Sequence, residues 1–256
     1  MIGVIHLPPL PGYPTSPGLA GVVSHALADL HSLVEGGVGA VLVENDGDRP
    51  YRVRAAAETI ASMTRVAIEV IAAARDVPVG VEILLNDPLA SLAVAHATGA
   101  RFIRTDYFVD RMTRPEYGGE MAIDPASLMA YRTRLGAEDI LVLADIQVKH
   151  ALMIEPRPLA ESAALAHQHA ADGIIVSGEF TGLAPRVEDL EAAREGAGAV
   201  PVLVGSGLDD GNARRLMAAA DGAIVGTSLK TGDVVDVERV RRLVSRARSG
   251  GPSPGT

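Results

Sequence analysis

The stretches Val202-Leu203-Val204-Gly205-Ser206-Gly207 and Ala223-Ile224-Val225-Gly226-Thr227-Ser228 share one pattern, a short apolar run that ends in a glycine turn. A run that is too apolar to leave one face in water is typical of a strand in a parallel sheet covered on both sides. The two stretches therefore predict neighbouring parallel strands near the end of the chain, each followed by a loop through which a ligand can approach the backbone closely.

Similar apolar runs recur along the whole chain, and amphipathic helical stretches separate them. Eight strand–helix units in 256 residues suit a single-domain (β/α)8 TIM barrel, whose typical length is about 250 residues. A doubly wound open sheet is the alternative, but it usually has fewer strands and carries its glycine fingerprint after the first one, where this chain has a proline-rich loop. The predicted strands are Ile2–Leu7, Ala40–Asn45, Val79–Leu85, Phe102–Asp106, Ile140–Val148, Gly173–Ser177, Val200–Val204 and Gly222–Val225. The barrel is expected to occupy residues 1–248, and the Gly/Pro/Ser-rich residues 249–256 to form a flexible tail.

The composition excludes several functional classes. Hydrophobic residues make up 48% of the chain, which is enough for a large core, and the absence of cysteine excludes disulfides, thiolate metal sites and a cysteine nucleophile. A net charge of −9 argues against a nucleic-acid surface. No apolar run reaches the roughly 18 residues of a membrane span, so we expect a cytoplasmic protein with no membrane partner.

Ionisable side chains stand at the ends of the first five predicted strands. Active sites of TIM barrels lie at the carboxyl ends of the strands, and a buried charge is costly unless it is paired, so this arrangement predicts a polar site there. For any single residue, a role in a salt bridge is as good an explanation as chemistry. Asp145, Gln147 and Lys149 are expected to share one face of their strand. The candidate catalytic residues are His6, Glu44, Glu82, Arg104, Asp106, Asp145 and Lys149.

These residue types suggest distinct roles. Asp145 and Glu82 are candidates for the general base or acid, because exclusion of water from the barrel opening raises the pKa of a carboxylate towards neutrality. Lys149 and Arg104 would stabilise a developing oxyanion, with Lys149 paired to Asp145, although a lysine in this position can also form a Schiff base. Asp106 adds a carboxylate beside Arg104. His6 and Glu44 would orient the substrate or bind a divalent metal, so the cofactor stays open.

The two glycine turns predict a phosphate site. Loops after strands 7 and 8 of a TIM barrel often bind phosphate, because successive backbone N–H groups form a nest for an anion. The alternative is two tight turns that need glycine for steric reasons. Aromatic residues such as Tyr107, Phe108 and Phe180 fall in presumed loops at the mouth, where they either stack on a ligand or pack the loops down. The predicted phosphate-binding residues are Gly205, Ser206, Gly207, Gly226 and Thr227.

Seven motifs follow one another along the chain. They are His6-Leu-Pro-Pro-Leu-Pro-Gly12, Val43-Glu-Asn-Asp-Gly-Asp-Arg-Pro50, Asn86-Asp-Pro-Leu-Ala, Gly99-Ala-Arg-Phe-Ile-Arg104, Ala144-Asp-Ile-Gln-Val-Lys-His150, Gly205-Ser-Gly207 and Gly226-Thr-Ser-Leu-Lys230. Together they resemble the BtpA/SgcQ family, and the resemblance runs from residue 2 to about residue 245. It implies a TIM barrel with a phosphate-binding end. It also implies photosystem I biogenesis for some members and a place in sugar-metabolism operons for others.

Two functional hypotheses follow. The first is an enzyme acting on a phosphorylated sugar or nucleotide-like metabolite, as an isomerase, epimerase or lyase. The second is a non-catalytic assembly or regulatory factor, which should expose an apolar patch outside the mouth and lock its carboxylates in salt bridges. Self-association is expected by analogy with other barrels.

Overall fold

Eight parallel strands close into a barrel in chain order, which confirms the predicted TIM-barrel fold. The computed structural model describes residues 1–180 and 182–250. Each strand pairs with the strands before and after it in the sequence, and the last pairs with the first. The strands are β1 (Ile2–His6), β2 (Ala40–Glu44), β3 (Val79–Glu82), β4 (Phe102–Thr105), β5 (Leu141–Ile146), β6 (Gly173–Val176), β7 (Val202–Val204) and β8 (Gly222–Val225).

Helices follow the strands and form the outer layer of the barrel. Helix α1 shows the principle: Val22, Ala26, Leu30 and Leu33 recur at helical spacing and are all buried in the main core. The largest core therefore lies between the outer face of the barrel and the ring of helices. The helices are α1 (Gly18–Gly36), α2 (Ala57–Ala74), α3 (Pro88–Thr98), α4 (Pro125–Leu135), α5 (Leu159–Gln168), α6 (Val187–Ala197), α7 (Ala213–Met217) and α8 (Val237–Arg248).

The interior of the barrel is filled in layers. One layer is apolar, and in it Gly80 faces the ring of Phe102 so closely that a Cβ atom at position 80 would lie 2.2 Å from that ring. Because alternate residues of a strand share a face, the next layer contains the residues two positions further along each strand. The apolar layer is formed by Val4, Leu42, Phe102, Leu143, Ile175, Leu203 and Ile224 with Gly80. The polar layer above it is formed by His6, Glu44, Glu82, Arg104, Asp145, Ser177, Gly205 and Gly226.

Two small sheets lie outside the barrel. Segments Met112–Arg114, Gly119–Met121 and Leu152–Met153 come from the loops after β4 and β5 and form an antiparallel sheet, here called the rim sheet. A short hairpin, Lys230–Thr231 with Val234–Val235, follows β8. Tyr107 is fully buried against Met112 of the rim sheet, and Phe108 is fully buried in the main core. For these two aromatics, packing is the correct interpretation.

The C-terminal end of the chain is described as far as Gly250. Ser249 and Gly250 close the last turn of α8 through backbone hydrogen bonds to Ser245 and Ala247. The rest of the predicted tail, residues 251–256, lies outside the described residues. Across residues 1–180 and 182–250, no helix combines the length and the hydrophobicity that crossing a bilayer would require.

The contact between Gly80 and Phe102 predicts that Gly80→Ala destabilises the barrel by about 1–3 kcal/mol, the usual cost of overpacking a core. Urea unfolding measures the change. Gly39→Ala is the control, because a Cβ atom there meets only Met1 main-chain atoms at 3.6 Å or more. Replacing Phe102 by Leu in the Gly80→Ala background should recover part of the loss. A Gly80→Ala protein as stable as the wild type would contradict this account of the apolar layer.

Candidate active site

A buried arginine stands at the centre of the polar layer. Arg104 donates to Asp145 in a bidentate pair, with Nε 2.7 Å from Oδ2 and Nη2 3.0 Å from Oδ1. Its Nη1 lies 3.4 Å from Glu44 Oε1, and its Nε lies 3.7 Å from Glu82 Oε2. Burial alone would lower the pKa of Arg104, but Asp145 and Glu82 raise it well above its ordinary value. The guanidinium therefore stays charged and organises three carboxyl groups from β2, β3 and β5.

The polar layer holds more carboxyl groups than one guanidinium can neutralise. Burial raises the pKa of Glu82 well above its ordinary value, and the nearby Glu44 and Asp106 add to the effect against the opposing charge of Arg104. Burial, followed by repulsion from Asp145, raises the pKa of Asp106 to about 7. Both shifts favour the protonated carboxyl group, and Asp106 exchanges its proton near neutral pH.

His6 lies beside Glu44, with Nε2 3.7 Å from Oε2. Burial lowers the pKa of His6, and Lys230 and Lys149 lower it further, whereas Glu44 raises it. The imidazole is therefore neutral at pH 7, and it can donate one hydrogen bond and accept another.

Asp145 is placed differently from the expectation for a general base. It is 1% exposed, and its oxygens are engaged by Arg104 and by the Ser177 hydroxyl, whose Oγ lies 3.2 Å from Oδ1. The sequence predicts that Asp145 pairs with Lys149, but in the structure it pairs with Arg104. A carboxylate that is occupied and closed off in this way is better explained as the group that holds Arg104 in place.

The spacing of Gln147 and Asp145 predicts that they share one face of the strand, but in the structure they do not. Strand β5 ends at Ile146, and Gln147 has a φ of 46°, so the alternation of the strand stops there. Its side-chain amide donates to the Arg157 carbonyl at 3.1 Å and lies 3.2 Å from Ser162 Oγ. The turn directs Gln147 towards the start of α5, away from Asp145.

Two adjoining cavities open above the polar layer. The larger, here called the carboxylate pocket, has a volume of about 280 Å³ and is lined by Glu82 and Asp106 among others. The smaller, here called the glycine pocket, has a volume of about 70 Å³ and is lined by the loops after β7 and β8. Four predicted residues line both cavities, namely His6, Glu44, Arg104 and Lys149.

All five predicted phosphate-binding residues line the glycine pocket, but packing also accounts for several of them. A Cβ atom at Gly226 would lie 2.3 Å from His6 Cε1, and Gly207 has a φ of +70°. The Ser206 hydroxyl donates to the Leu183 carbonyl at 3.0 Å and accepts from the Gly178 N–H at 3.3 Å. The Ser206 side chain thus holds the loop after β6 in place through its hydrogen bonds. The groups of the pocket that remain for a ligand are backbone amides and the exposed Thr227.

Lys149 lies where the pockets meet, and it forms no ion pair with any residue in the ranges 1–180 and 182–250. Only two of the 23 basic residues of the sequence are lysines, Lys149 and Lys230. Lys230 lies close enough to His6 to lower its pKa, so both lysines belong to this end of the barrel. The rarity of lysine was the signal in the sequence that could have pointed to Lys230.

Loops supply further residues that strand periodicity does not predict. Arg114 and Tyr117, from the rim sheet and the turn that follows it, line the carboxylate pocket, as does Tyr51 from the loop after β2. The ring centroids of Tyr51 and Tyr117 are 6.2 Å apart, and the Tyr51 hydroxyl donates to Asp46 Oδ1 at 3.0 Å. Within the described part of the chain, no group of three or more His, Asp or Glu side chains is arranged to hold a metal ion.

A closed (β/α)8 barrel with ionisable residues at the strand ends and glycine loops after β7 and β8 defines a TIM-barrel protein. The model of the BtpA family matches residues 1–249, and this chain belongs to that family.

Two relatives show how far the family similarity extends. An uncharacterized protein of Archaeoglobus fulgidus is 38% identical over 97% of this chain and 98% of its own length. The photosystem I biogenesis protein BtpA of Synechocystis sp. is 34% identical over 98% of this chain and 88% of its own length.

Solved structures share the fold at much lower identity. Thiamine phosphate pyrophosphorylase from Pyrococcus furiosus is 16% identical, with a TM-score of 0.62 over 96% of this chain and 95% of that one. N-(5'-phosphoribosyl)anthranilate isomerase from Pyrococcus furiosus is 15% identical, with a TM-score of 0.59 over 97% and 98% of the two chains. At these identities the similarity shows the fold alone.

The pairing of Arg104 with Asp145 predicts that Asp145→Asn destabilises the protein by about 3 kcal/mol, because it removes the main partner of a buried guanidinium. Urea unfolding at pH 7 measures the change. The control is Asp139→Asn, which breaks the exposed pair between Arg101 and Asp139 at 3.4 Å and should cost less than about 1 kcal/mol. Equal losses in the two variants would show that Asp145 does not hold the polar layer together.

The raised pKa of Asp106 predicts a pH-dependent stability. The folded protein retains this proton up to about pH 7, whereas an unfolded chain releases it near 3.8, so its ionisation costs stability as the pH rises through this range. Asp106→Asn removes the titration. The melting temperature of the variant should therefore rise relative to that of the wild type between pH 5 and pH 8. Asp139→Asn should show a constant difference. A constant difference for Asp106→Asn as well would contradict the assignment.

Proposed function

We propose that this protein is an enzyme that transfers protons on a phosphorylated small molecule, as an isomerase, epimerase or lyase. The observation that carries the proposal is the position of Asp106, a carboxyl group with a pKa of about 7, in the carboxylate pocket next to the glycine pocket. A group that is half protonated at physiological pH is suited to accept a proton and to return one.

The carboxylate pocket supplies complementary proton-transfer groups. Glu82, whose pKa is raised by burial, serves as the general acid, and Asp106 in its ionised form serves as the base. Arg104 and Lys149 stabilise negative charge that develops on a substrate oxygen, and His6 and Glu44 orient the substrate. Asp145 acts through Arg104, which it holds in place. An isomerisation or an epimerisation removes a proton from carbon and delivers one back, and Asp106 and Glu82 are the groups proposed for these two steps.

The glycine pocket is the proposed phosphate site. The backbone amides of its two loops and the exposed Thr227 can donate hydrogen bonds, and Lys149 lines the pocket without a carboxylate partner among the described residues. The fold neighbours named above are a thiamine phosphate pyrophosphorylase and a phosphoribosylanthranilate isomerase, both named for phosphorylated compounds. Their names support a phosphorylated substrate for this chain.

A thermal-shift panel of sugar phosphates, nucleotides and inorganic phosphate, each with and without Mg²⁺ or Mn²⁺, tests the proposal. A ligand at a hundred times its dissociation constant adds about 2.7 kcal/mol of stability. Lys149→Met should weaken binding of any phosphorylated ligand at least about tenfold, since it removes one charged hydrogen bond. Arg101→Met, at the opposite end of the barrel, is the control. If no phosphorylated compound stabilises the protein, the proposed function is wrong.

A non-catalytic assembly factor is the second candidate, and two observations favour it. The 34% identical relative is named a photosystem I biogenesis protein, and Glu44, Glu82 and Asp145 are all within ion-pairing distance of Arg104. The exposed Leu152 and Phe180 do not add to these two observations, because they lie beside the mouth and this candidate predicts an apolar patch outside it. A complete lack of response in the ligand panel would favour this second candidate.

A further inference from the structure

A third cavity, larger than the carboxylate and glycine pockets, has no role in the proton transfer or the phosphate binding proposed above. It is a groove of about 1030 Å³ between the rim sheet and the loop after β6, here called the aromatic groove. Arg114, Val148, Lys149 and His150 line both this groove and the carboxylate pocket. A ligand whose reacting part occupies the carboxylate pocket can therefore extend directly into the groove.

Exposed apolar side chains form part of the walls of the groove. Phe180 is 56% exposed and Leu152 is 73% exposed, whereas the two other phenylalanines of the sequence, Phe102 and Phe108, are buried. Exposure of a large apolar side chain beside a functional mouth is typical of a binding surface. Met112 and Met153 of the rim sheet line the same groove, and methionine side chains adapt readily to the shape of a ligand.

Phe180 packs beside a second ring on the same side of the groove. The ring centroids of His150 and Phe180 are 5.7 Å apart, and the rings are inclined by 58°. Burial lowers the pKa of His150, and the charges of Arg114 and Lys149 lower it further, so the imidazole is uncharged at pH 7. The pair thus offers a neutral aromatic surface to which a planar ring can bind.

Polar groups surround these apolar walls. Arg186 pairs with Asp189, and Arg114 Nη2 lies 2.8 Å from Glu116 Oε1, so donors and acceptors stand at the edges of the groove. Apolar faces with polar edges complement a planar heteroaromatic group, which has an apolar face and hydrogen-bonding edges.

We propose that the aromatic groove binds a heteroaromatic ring that the phosphorylated substrate carries, with Phe180 and His150 as the residues that contact the ring. The inference rests on the proposed function for the phosphorylated part of the substrate. It narrows the substrate class to nucleotide-like molecules, in which the phosphate occupies the glycine pocket, the sugar occupies the carboxylate pocket and the base occupies the groove. A bare sugar phosphate would leave the largest of the three cavities empty.

Calorimetric titration of the full chain with ribose 5-phosphate and with AMP, GMP, CMP and UMP tests the inference. At least one of the four nucleotides should bind about tenfold more tightly than ribose 5-phosphate, because stacking on an aromatic side chain favours the base. Phe180→Leu, which keeps an apolar group but removes the ring, should abolish most of this advantage and leave ribose 5-phosphate binding unchanged. Phe180→Tyr should retain it. Val234→Ala, which changes another exposed apolar side chain outside the groove, is the control.

The outcomes separate the two proposals. If ribose 5-phosphate binds as tightly as every nucleotide and Phe180→Leu changes nothing, the heteroaromatic subsite is wrong while the phosphorylated substrate stands. If neither ribose 5-phosphate nor any nucleotide binds, and sugar phosphates and inorganic phosphate also fail in the thermal-shift panel, the proposed function fails as well. If Phe180→Leu instead changes the oligomeric state in size-exclusion chromatography without affecting nucleotide binding, the groove is a protein interface and the inference is overturned.

Discussion

One guanidinium inside the barrel is the constraint on which the rest of the site depends. Arg104 is buried, and its removal from water is offset by the bidentate pair with Asp145 and by the nearby carboxyl groups of Glu44 and Glu82. Asp145 forms the bidentate pair with Arg104, whereas Glu82 lies 3.7 Å from Arg104 Nε and has a pKa raised by burial. Burial and repulsion from Asp145 raise the pKa of Asp106 to about 7. The pairing inside the barrel thus separates the carboxylate that holds Arg104 from the two carboxyl groups whose pKa is raised.

The layers of the barrel explain why the side of the mouth formed by the first five strands differs from the side formed by β7 and β8. At the level of the polar layer, the first five strands contribute ionisable side chains, whereas β7 and β8 contribute only Gly205 and Gly226. The absence of side chains on that side leaves the glycine pocket, and His6 approaches the backbone of Gly226 so closely that no Cβ atom would fit. A half rich in carboxyl groups and a half formed largely by glycine loops therefore face each other across one opening.

Loops outside the barrel add the part of the mouth that distinguishes this chain from a plain barrel. The rim sheet joins the loops after β4 and β5, and it carries Arg114 into the carboxylate pocket and Met112 and Met153 into the aromatic groove. Active-site loops on a rigid barrel are the usual place where substrate choice is determined. The rim sheet and the loop after β6 therefore shape the groove that adjoins the carboxylate pocket.

The sequence by itself determined the barrel, the order of its strands and the set of ionisable residues at their ends, because these follow from local periodicity and from the direction of parallel strands. Only the tertiary structure decided which of those residues pair. Arg104 and Asp145 are 41 positions apart, and Arg104 and Glu44 are 60 apart, so no local pattern records their contact. The turn at Gln147, the use of Ser206 to fasten a loop and the aromatic groove likewise depend on loops that meet only after the barrel has closed. Strand ends are local features of a chain, whereas the partners of a buried charge are determined by distances between strands.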